Sequence, residues 1–396
     1  MDTALPFLGL KQQRSIHSWQ GEGLAAREDA DTLLKHVLGG GSVAEAPKTL
    51  EGWALVRTML DDLAGQVQAD AETELELVEG MRVLARTTAL CAELSLDVDP
   101  EKPWFFPMNT EVRYLGGPNP DGEYHLAMID GRRGYRVRGS RGSAAYLGFQ
   151  VLAGVGLTPR RQAVYVSDTE LELDADGRFD LVLRATPPEG SDSGQWVEIP
   201  EDASAIIVRQ YIGDRGVEVP AELQIDPLEP PGPVPLPTDE QVGDQLTSMA
   251  WTIVKLATLH KTIKPELLTM PNVLVSAEAA ALGSADTTPD NLYLLGTFRL
   301  EPTQALVVGF VPPESRYWSA TLENIWHECL EPRRRRSSIT NVHAEEKDGR
   351  VRLVISGRDP GVPNWLDTGG RHRGFVILRW LDGAAAPELT TEVVEL

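Results

Sequence analysis

The chain carries only two cysteines in 396 residues, Cys91 and Cys329. Two are too few for a disulfide framework, and Cys91 falls at a core-like helical spacing, so a reducing, cytoplasmic setting is expected. No run approaches the roughly 18 apolar residues of a membrane span. The first twenty residues place Pro6 and the polar stretch 11–14 where an export signal needs an apolar core. Positive charge is scarce: 37 Lys and Arg stand against 59 Asp and Glu, a formal charge of -22. That balance lacks the basic footprint that displaces counterions from nucleic acid, and it opposes contact with an anionic membrane. The sequence also has no Cys-x-x-Cys, His-Glu-x-x-His, Gly-x-Ser-x-Gly or Gly-rich phosphate loop. His327-x-Cys329 is its only close soft pair. Neither metal nor cofactor is expected, and the expected partner is a small molecule rather than nucleic acid or membrane.

What is present is an ordinary globular composition, 42% hydrophobic and 24% charged, enough to bury a core in two or three domains. Residues 120–211 recur as 289–380. Pro120, Asp121, Tyr124 and Leu126 answer to Pro289, Asp290, Tyr293 and Leu295. Gly139 and Tyr146 answer to Gly309 and Tyr317, Leu181 and Val182 to Leu353 and Val354, and Trp196 and Arg209 to Trp365 and Arg379. An offset that stays nearly constant over ninety residues marks one structural unit used twice.

Helical periodicity comes before each copy. Trp53, Val56, Leu60, Leu63 and Val67 form one apolar face, with Thr49 as candidate cap; Leu77, Met81, Leu84 and Cys91 form a second. Thr238 and Gln241 make a capping-box start for a third helix, whose face is Val242, Leu246, Met249, Ile253 and Leu256. Strand alternation and Gly-rich turns follow the second and third helices. The prolines at 227, 230, 231, 233, 235 and 237 make a stiff link between the copies. The expected fold is mainly β with helices (α+β): two tandem, internally duplicated β-sandwich or jelly-roll-like units, each preceded by a helix, plus an N-terminal helical segment. The boundaries are 1–68 for that segment, 69–225 for the first helix and sandwich, 226–237 for the linker and 238–396 for the second. Their free sheet edges leave room for a homo-oligomer.

The stretch Arg316-Tyr-Trp-Ser-Ala-Thr-Leu-Glu-Asn324, followed by Asp359-Pro-Gly-Val-Pro-Asn-Trp-Leu-Asp-Thr-Gly-Gly370 and on to Gly374, resembles the bacterial family known as domain of unknown function 1214. The resemblance spans residues 105–396. It implies a jelly-roll-like β domain and carries over no catalytic residue.

Site candidates come from the differences between the copies. The loop 358–373 brings Asp359, Asp367, Arg371, His372 and Arg373 to copy two, where copy one has a short Gly-Ser loop. Arg371 and Arg373 could fork onto an anionic ligand, and Asp367 could orient His372 as a general base. Asp359-Pro-Gly is equally turn chemistry. Reading 317–327 as one strand points Tyr317, Ser319, Thr321, Glu323 and His327 to a common face, with Glu323 and His327 two pleats apart. That face is either a pocket wall or a solvated sheet surface. The run Arg333 to Arg336 is either an anion site or a solvated loop. Two functions remain open. One is a small-molecule binder using Tyr317, Trp326, Asn364, Trp365, Arg371 and Arg373 in a cavity within or between the sandwiches. The other is a cofactor-free hydrolase, lyase or isomerase using Glu323, Asp367, His327 or His372.

Overall fold

The computed structural model describes residues 46–154, 160–188, 194–262, 270–277, 287–382 and 386–396. The first 45 residues of the expected N-terminal segment and part of the short copy-one loop lie outside the described residues. The chain divides into two compact units, Met1–Pro47 and Lys48–Leu396, and nearly all described residues belong to the second.

Three α-helices carry the predicted periodicities. In α1 (Pro47–Asp70), Val56, Leu63 and Val67 turn inward while Trp53 stays 52% exposed. Thr49 is not a cap: it lies inside the first turn, where its N–H donates to Asp239 Oδ1 at 2.9 Å. In α2 (Glu74–Leu96), Thr73 caps the start by accepting from Glu76 N–H; Leu84 and Cys91 are buried and Met81 is not. In α3 (Asp239–Ala257), Thr238 accepts from Gln241 N–H at 3.2 Å, and Leu246, Met249 and Ile253 are buried. Small residues let α1 and α3 approach closely, since a Cβ on Gly52 would lie 2.8 Å from the Gly243 carbonyl oxygen. The segment 228–237 has no regular structure and is almost wholly exposed, as its prolines dictate.

Each copy is a sandwich of two mainly antiparallel sheets. In the first, β1 (Phe106–Pro107), β2 (Gly122–Met128), β8 (Ala203–Tyr211), β4 (Tyr146–Ala153) and β5 (Arg161–Ser167) make a five-stranded sheet in that order. The second sheet runs β7 (Gln195–Glu198), β6 (Arg178–Arg184), β3 (Tyr135–Ser140), β9 (Glu222–Pro227). The other copy repeats both. Its five-stranded sheet is β10 (Leu274–Ala277), β11 (Asn291–Arg299), β18 (Arg373–Leu381), β13 (Trp318–Glu323), β14 (Ser338–Thr340). Its second sheet is β15 (Glu346–Lys347), β16 (Arg350–Ser356), β12 (Gln304–Phe310), β19 (Thr390–Glu395), with β17 (Trp365–Asp367) parallel to β16.

The registers prove the duplication residue by residue. Tyr124 pairs with Arg209 as Tyr293 pairs with Arg379. Val182 pairs with Trp196 as Val354 pairs with Trp365, in the parallel edge of each copy. Both tryptophans donate their indole N–H to a backbone carbonyl two residues further along the neighbouring strand, Arg184 and Ser356. One match slips. Gly139 stands opposite Phe179, and Phe310 stands opposite Val351, the residue equivalent to Phe179. Gly139 therefore corresponds to Phe310; Gly309 points to the other face, because a one-residue shift in a strand flips the side chain. Each sandwich has its own core: Val137, Leu147, Phe149 and Leu181 in the first, Val308, Phe310, Trp318 and Leu353 in the second. Burying each such side chain contributes roughly 1.5–3 kcal/mol. Among the described residues, no helix is long and apolar enough to cross a membrane.

Candidate functional site

The outer faces of the two five-stranded sheets meet at a cavity of about 230 Å³, closed on its other sides by α2, α3 and the loop 115–118. At roughly 30 Å³ per water it could hold about eight waters, or one small organic molecule. Its walls come in equivalent pairs: Tyr124 and Tyr293 from β2 and β11, Ile207 with Ile377 and Arg209 with Arg379 from β8 and β18. Val83, Thr87 and Leu90 of α2 and Leu256 of α3 complete a largely apolar lining. Two of the pairs that define the repeat, Tyr124 with Tyr293 and Arg209 with Arg379, thus converge on one place.

Both tyrosines have a main-chain donor, and Tyr293 accepts in addition from Asn291 Nδ2 at 3.4 Å. The Tyr124 hydroxyl accepts from Asn119 N–H at 2.9 Å, and the Tyr293 hydroxyl from Thr288 N–H at 3.2 Å. Each occupies a phenol lone pair with a main-chain donor five residues upstream. Burial pushes Tyr124 up to about 12, with Arg379 pulling it part of the way back. Beside them, Tyr146, Tyr211 and Tyr317 stack with ring centroids 4.8 and 5.2 Å apart. The Tyr317 hydroxyl accepts from Asn119 Nδ2 at 2.6 Å and donates to Asp121 Oδ2 at 3.3 Å. Burial raises Asp121 to about 6 despite that hydrogen bond.

The two arginines are 2% and 3% exposed. Arg209 donates to Gln150. Arg379 donates to the Gly117 carbonyl at 2.7 Å and to Thr321 Oγ1 at 3.3 Å, and its Nη2 lies 3.8 Å from Glu323 Oε1. A fully buried carboxylate needs such a counter-charge.

Glu323 ends β13, and its Oε2 meets His327 Nδ1 at 2.6 Å. The strand stops at Glu323, so the expected two-pleat separation from His327 does not exist. Asn324 turns the chain instead, its Oδ1 accepting from the N–H groups of Trp326 and Glu328. His327 enters the left-handed region at φ 59° and stacks on Phe375, centroids 4.2 Å apart. A carboxylate offers only lone pairs, so Nδ1 carries the proton of this contact and Nε2 is the ring nitrogen left over. Nε2 has no hydrogen-bond partner among the described residues, and His327 lines the cavity. Gly117, at φ 68°, packs its backbone on the pair: a Cβ there would lie 3.4 Å from Glu323 Oε2.

Of the other residues nominated from sequence, Trp326 lines the cavity and donates its indole N–H to the Glu76 carbonyl. Ser319, Thr321 and Glu323 are fully buried, so this sheet face is not solvated. The rest of the set lies elsewhere. Asp367 and His372 do not meet: Asp367 pairs with Arg335 at 3.1 Å and His372 Nε2 lies 3.4 Å from Glu72. Arg371 clamps Glu79, and Arg373 binds Glu76 at 2.7 Å, so both tie α2 to the second sandwich. Glu72 is held down at about 2, first by the Arg299 hydrogen bond. Asn364, at φ 55°, closes a turn with both Glu345 backbone groups. Trp365 donates to Ser356 Oγ at 3.0 Å. Asp359 accepts from Gly361 N–H, the turn reading of Asp-Pro-Gly. In the basic run, Arg333 pairs with Glu111 and Arg335 with Glu331. Contrast between the copies therefore found helix-docking chemistry; likeness between them marked the cavity, and Tyr124, Tyr293, Arg209 and Arg379 were already in the matched set.

Fold and site together define a duplicated β-sandwich protein with a chamber between its copies. The family described as "Protein of unknown function (DUF1214)" matches the chain twice, over residues 128–214 and 298–385. One match falls in each sandwich, so both copies are similar to that family's domain. A crystal structure of an uncharacterized protein from Burkholderia cenocepacia is similar over 89% of this chain and 99% of its own, with TM-score 0.82 and 29% identity. The VPA0106 protein from Vibrio parahaemolyticus has TM-score 0.47 and 12% identity, over 81% of this chain and 100% of its own. No curated protein matches the chain.

Proposed function

We propose that the protein binds a small, partly apolar molecule in the cavity between its two sandwiches. One observation carries the reading: equivalent residues of both copies, Tyr124 with Tyr293, Ile207 with Ile377 and Arg209 with Arg379, line the same cavity. A mostly apolar wall with a few convergent polar groups is the usual makeup of a ligand pocket. The unpaired, buried Cys91 and Cys329 and the charge of -22 support a cytoplasmic protein.

The test is mass spectrometry of small molecules copurifying with the full chain. Leu259 also lines the cavity, and a mass retained by the parent and by Asp367→Ala, but absent from the cavity-filling Leu259→Trp, is the expected result. Identical profiles for parent and Leu259→Trp would reject the cavity as the site.

A second reading, a cofactor-free acid-base enzyme, rests on the Glu323 and His327 pair. A buried carboxylate at 2.6 Å from Nδ1 orients the imidazole so that Nε2 can accept a proton from a molecule in the cavity. Exchange of a bound molecule's C–H protons with deuterated water, followed by NMR, is expected in the parent and lost in His327→Gln. Equal exchange in both would exclude it.

A further inference from the structure

Two phenols of the cavity wall keep a proton that no group among the described residues accepts, and those donors beside a guanidinium point to the chemistry of a molecule the cavity could take. Each phenol has its oxygen engaged by a main-chain N–H, from Asn119 to Tyr124 and from Thr288 to Tyr293. A hydroxyl that accepts still has one proton to donate. Among the described residues, neither Tyr124 nor Tyr293 has an acceptor for it, and Tyr293 is 93% buried within the cavity lining. Arg379 stands directly across from Tyr293 in the strand pairing. Its nearest carboxylate oxygen, Glu323 Oε1, lies at 3.8 Å, beyond hydrogen-bond reach, and has no hydrogen-bond partner of its own. The other Glu323 oxygen is engaged by His327. The wall thus offers two phenolic protons backed by a buried guanidinium, set among Ile207, Leu256, Leu295 and Ile377.

Resting on the binding reading above, we infer that the occupant is a small monocarboxylate with a hydrocarbon body, its carboxylate taking hydrogen bonds from Tyr124 and Tyr293 beside Arg379. A carboxylate is acceptor-only and presents about four lone pairs, which matches a donor-rich pole. A neutral alcohol offers a single oxygen to the two phenols and has to place its own proton on His327 Nε2, whereas an ammonium would leave both phenols unmatched and face a like charge. Two phenols can serve the two oxygens of one carboxylate, although Tyr293 also accepts from Asn291 Nδ2 at 3.4 Å and Tyr124 has no such second donor among the described residues. Hydrogen bonds to a charged acceptor in a dry site are about twice as strong as neutral ones. Deleting two hydroxyls that donate them therefore weakens binding by at least about tenfold.

The test uses the full chain and four probes of one length: hexanoate, hexanamide, hexan-1-ol and hexylammonium, titrated by calorimetry. Hexanoate is expected to bind about tenfold or more tightly than each of the others. The double variant Tyr124→Phe, Tyr293→Phe keeps both rings and removes only the hydroxyls. It is expected to weaken hexanoate by about tenfold or more while leaving hexan-1-ol within about twofold. A melting curve on the variant confirms that it folds. If hexan-1-ol binds as well as hexanoate, or if the double variant leaves hexanoate affinity unchanged, the carboxylate assignment is overturned and the cavity reading survives. If none of the four binds and the cavity-filling variant leaves the copurified profile unchanged, both are overturned.

Discussion

Replacing Arg371 by Met should loosen α2 from the second sandwich. The Arg371 and Glu79 side chains are 9% and 4% exposed, and the guanidinium also donates to the Thr368 carbonyl at 3.1 Å. Removing one member of a buried ion pair costs about 3–5 kcal/mol because the partner's charge stays buried. Arg82 Nη2, 3.6 Å from Glu79, remains as a weaker counter-charge, which favours the lower end, about 3 kcal/mol. A unit of roughly 350 residues unfolds with an entropy near 0.7 kcal/mol per degree, so Tm should fall by about 4 °C. The double variant Arg371→Met, Glu79→Met replaces the pair by apolar side chains and should recover to within about 1 kcal/mol of the parent. Calorimetric melting of the parent, both single variants and the double closes the cycle. A single-variant shift below about 1 °C, or simple addition of the two losses in the double, would refute a structural clamp here.

Two further outcomes concern the site. Asp121 is raised to about 6 from 3.8 by burial. Below pH 3.8 folded and unfolded chains both hold its proton; between 3.8 and 6 only the folded chain does, so its contribution to stability is lost as pH rises through that window. The loss is on the order of 3 kcal/mol. Urea midpoints of parent and Asp121→Asn from pH 4 to 7 should diverge accordingly, and a difference that stays flat with pH would contradict the shift. Gly117→Ala places a Cβ at φ 68° and 3.4 Å from Glu323 Oε2, so it should destabilise by about 1–2 kcal/mol, or about 2 °C in Tm. An unchanged melting curve would show that the loop yields without strain.

Much of this architecture is legible in the residues. The Pro-Asp-x-x-Tyr-x-Leu match and the Val-Trp pairing return as identical registers in both sandwiches, and Thr238 caps α3 as its spacing implies. Trp53 and Met81 share the helical period yet lie outside, because periodicity marks a stripe and not its width. Gly139 misaligned by one residue, a slip that composition tolerates and side-chain facing does not. The partial success at the site has a similar cause. Glu323 and His327 do meet, but through the Asn324 turn, which is tertiary geometry that a strand period does not contain. Arg371, His372 and Arg373 look like an anion site in isolation. Their anions are Glu72, Glu76 and Glu79, some three hundred residues upstream, and no local reading of the loop contains them.

Because the chamber takes one wall from each sandwich, a protein with a single copy could enclose the same space only by pairing with itself. Joining the two in one chain makes assembly of the chamber independent of protein concentration. It also frees the halves to diverge: an imidazole and its carboxylate stand on one side of the chamber alone, which gives an otherwise matched room two unlike ends.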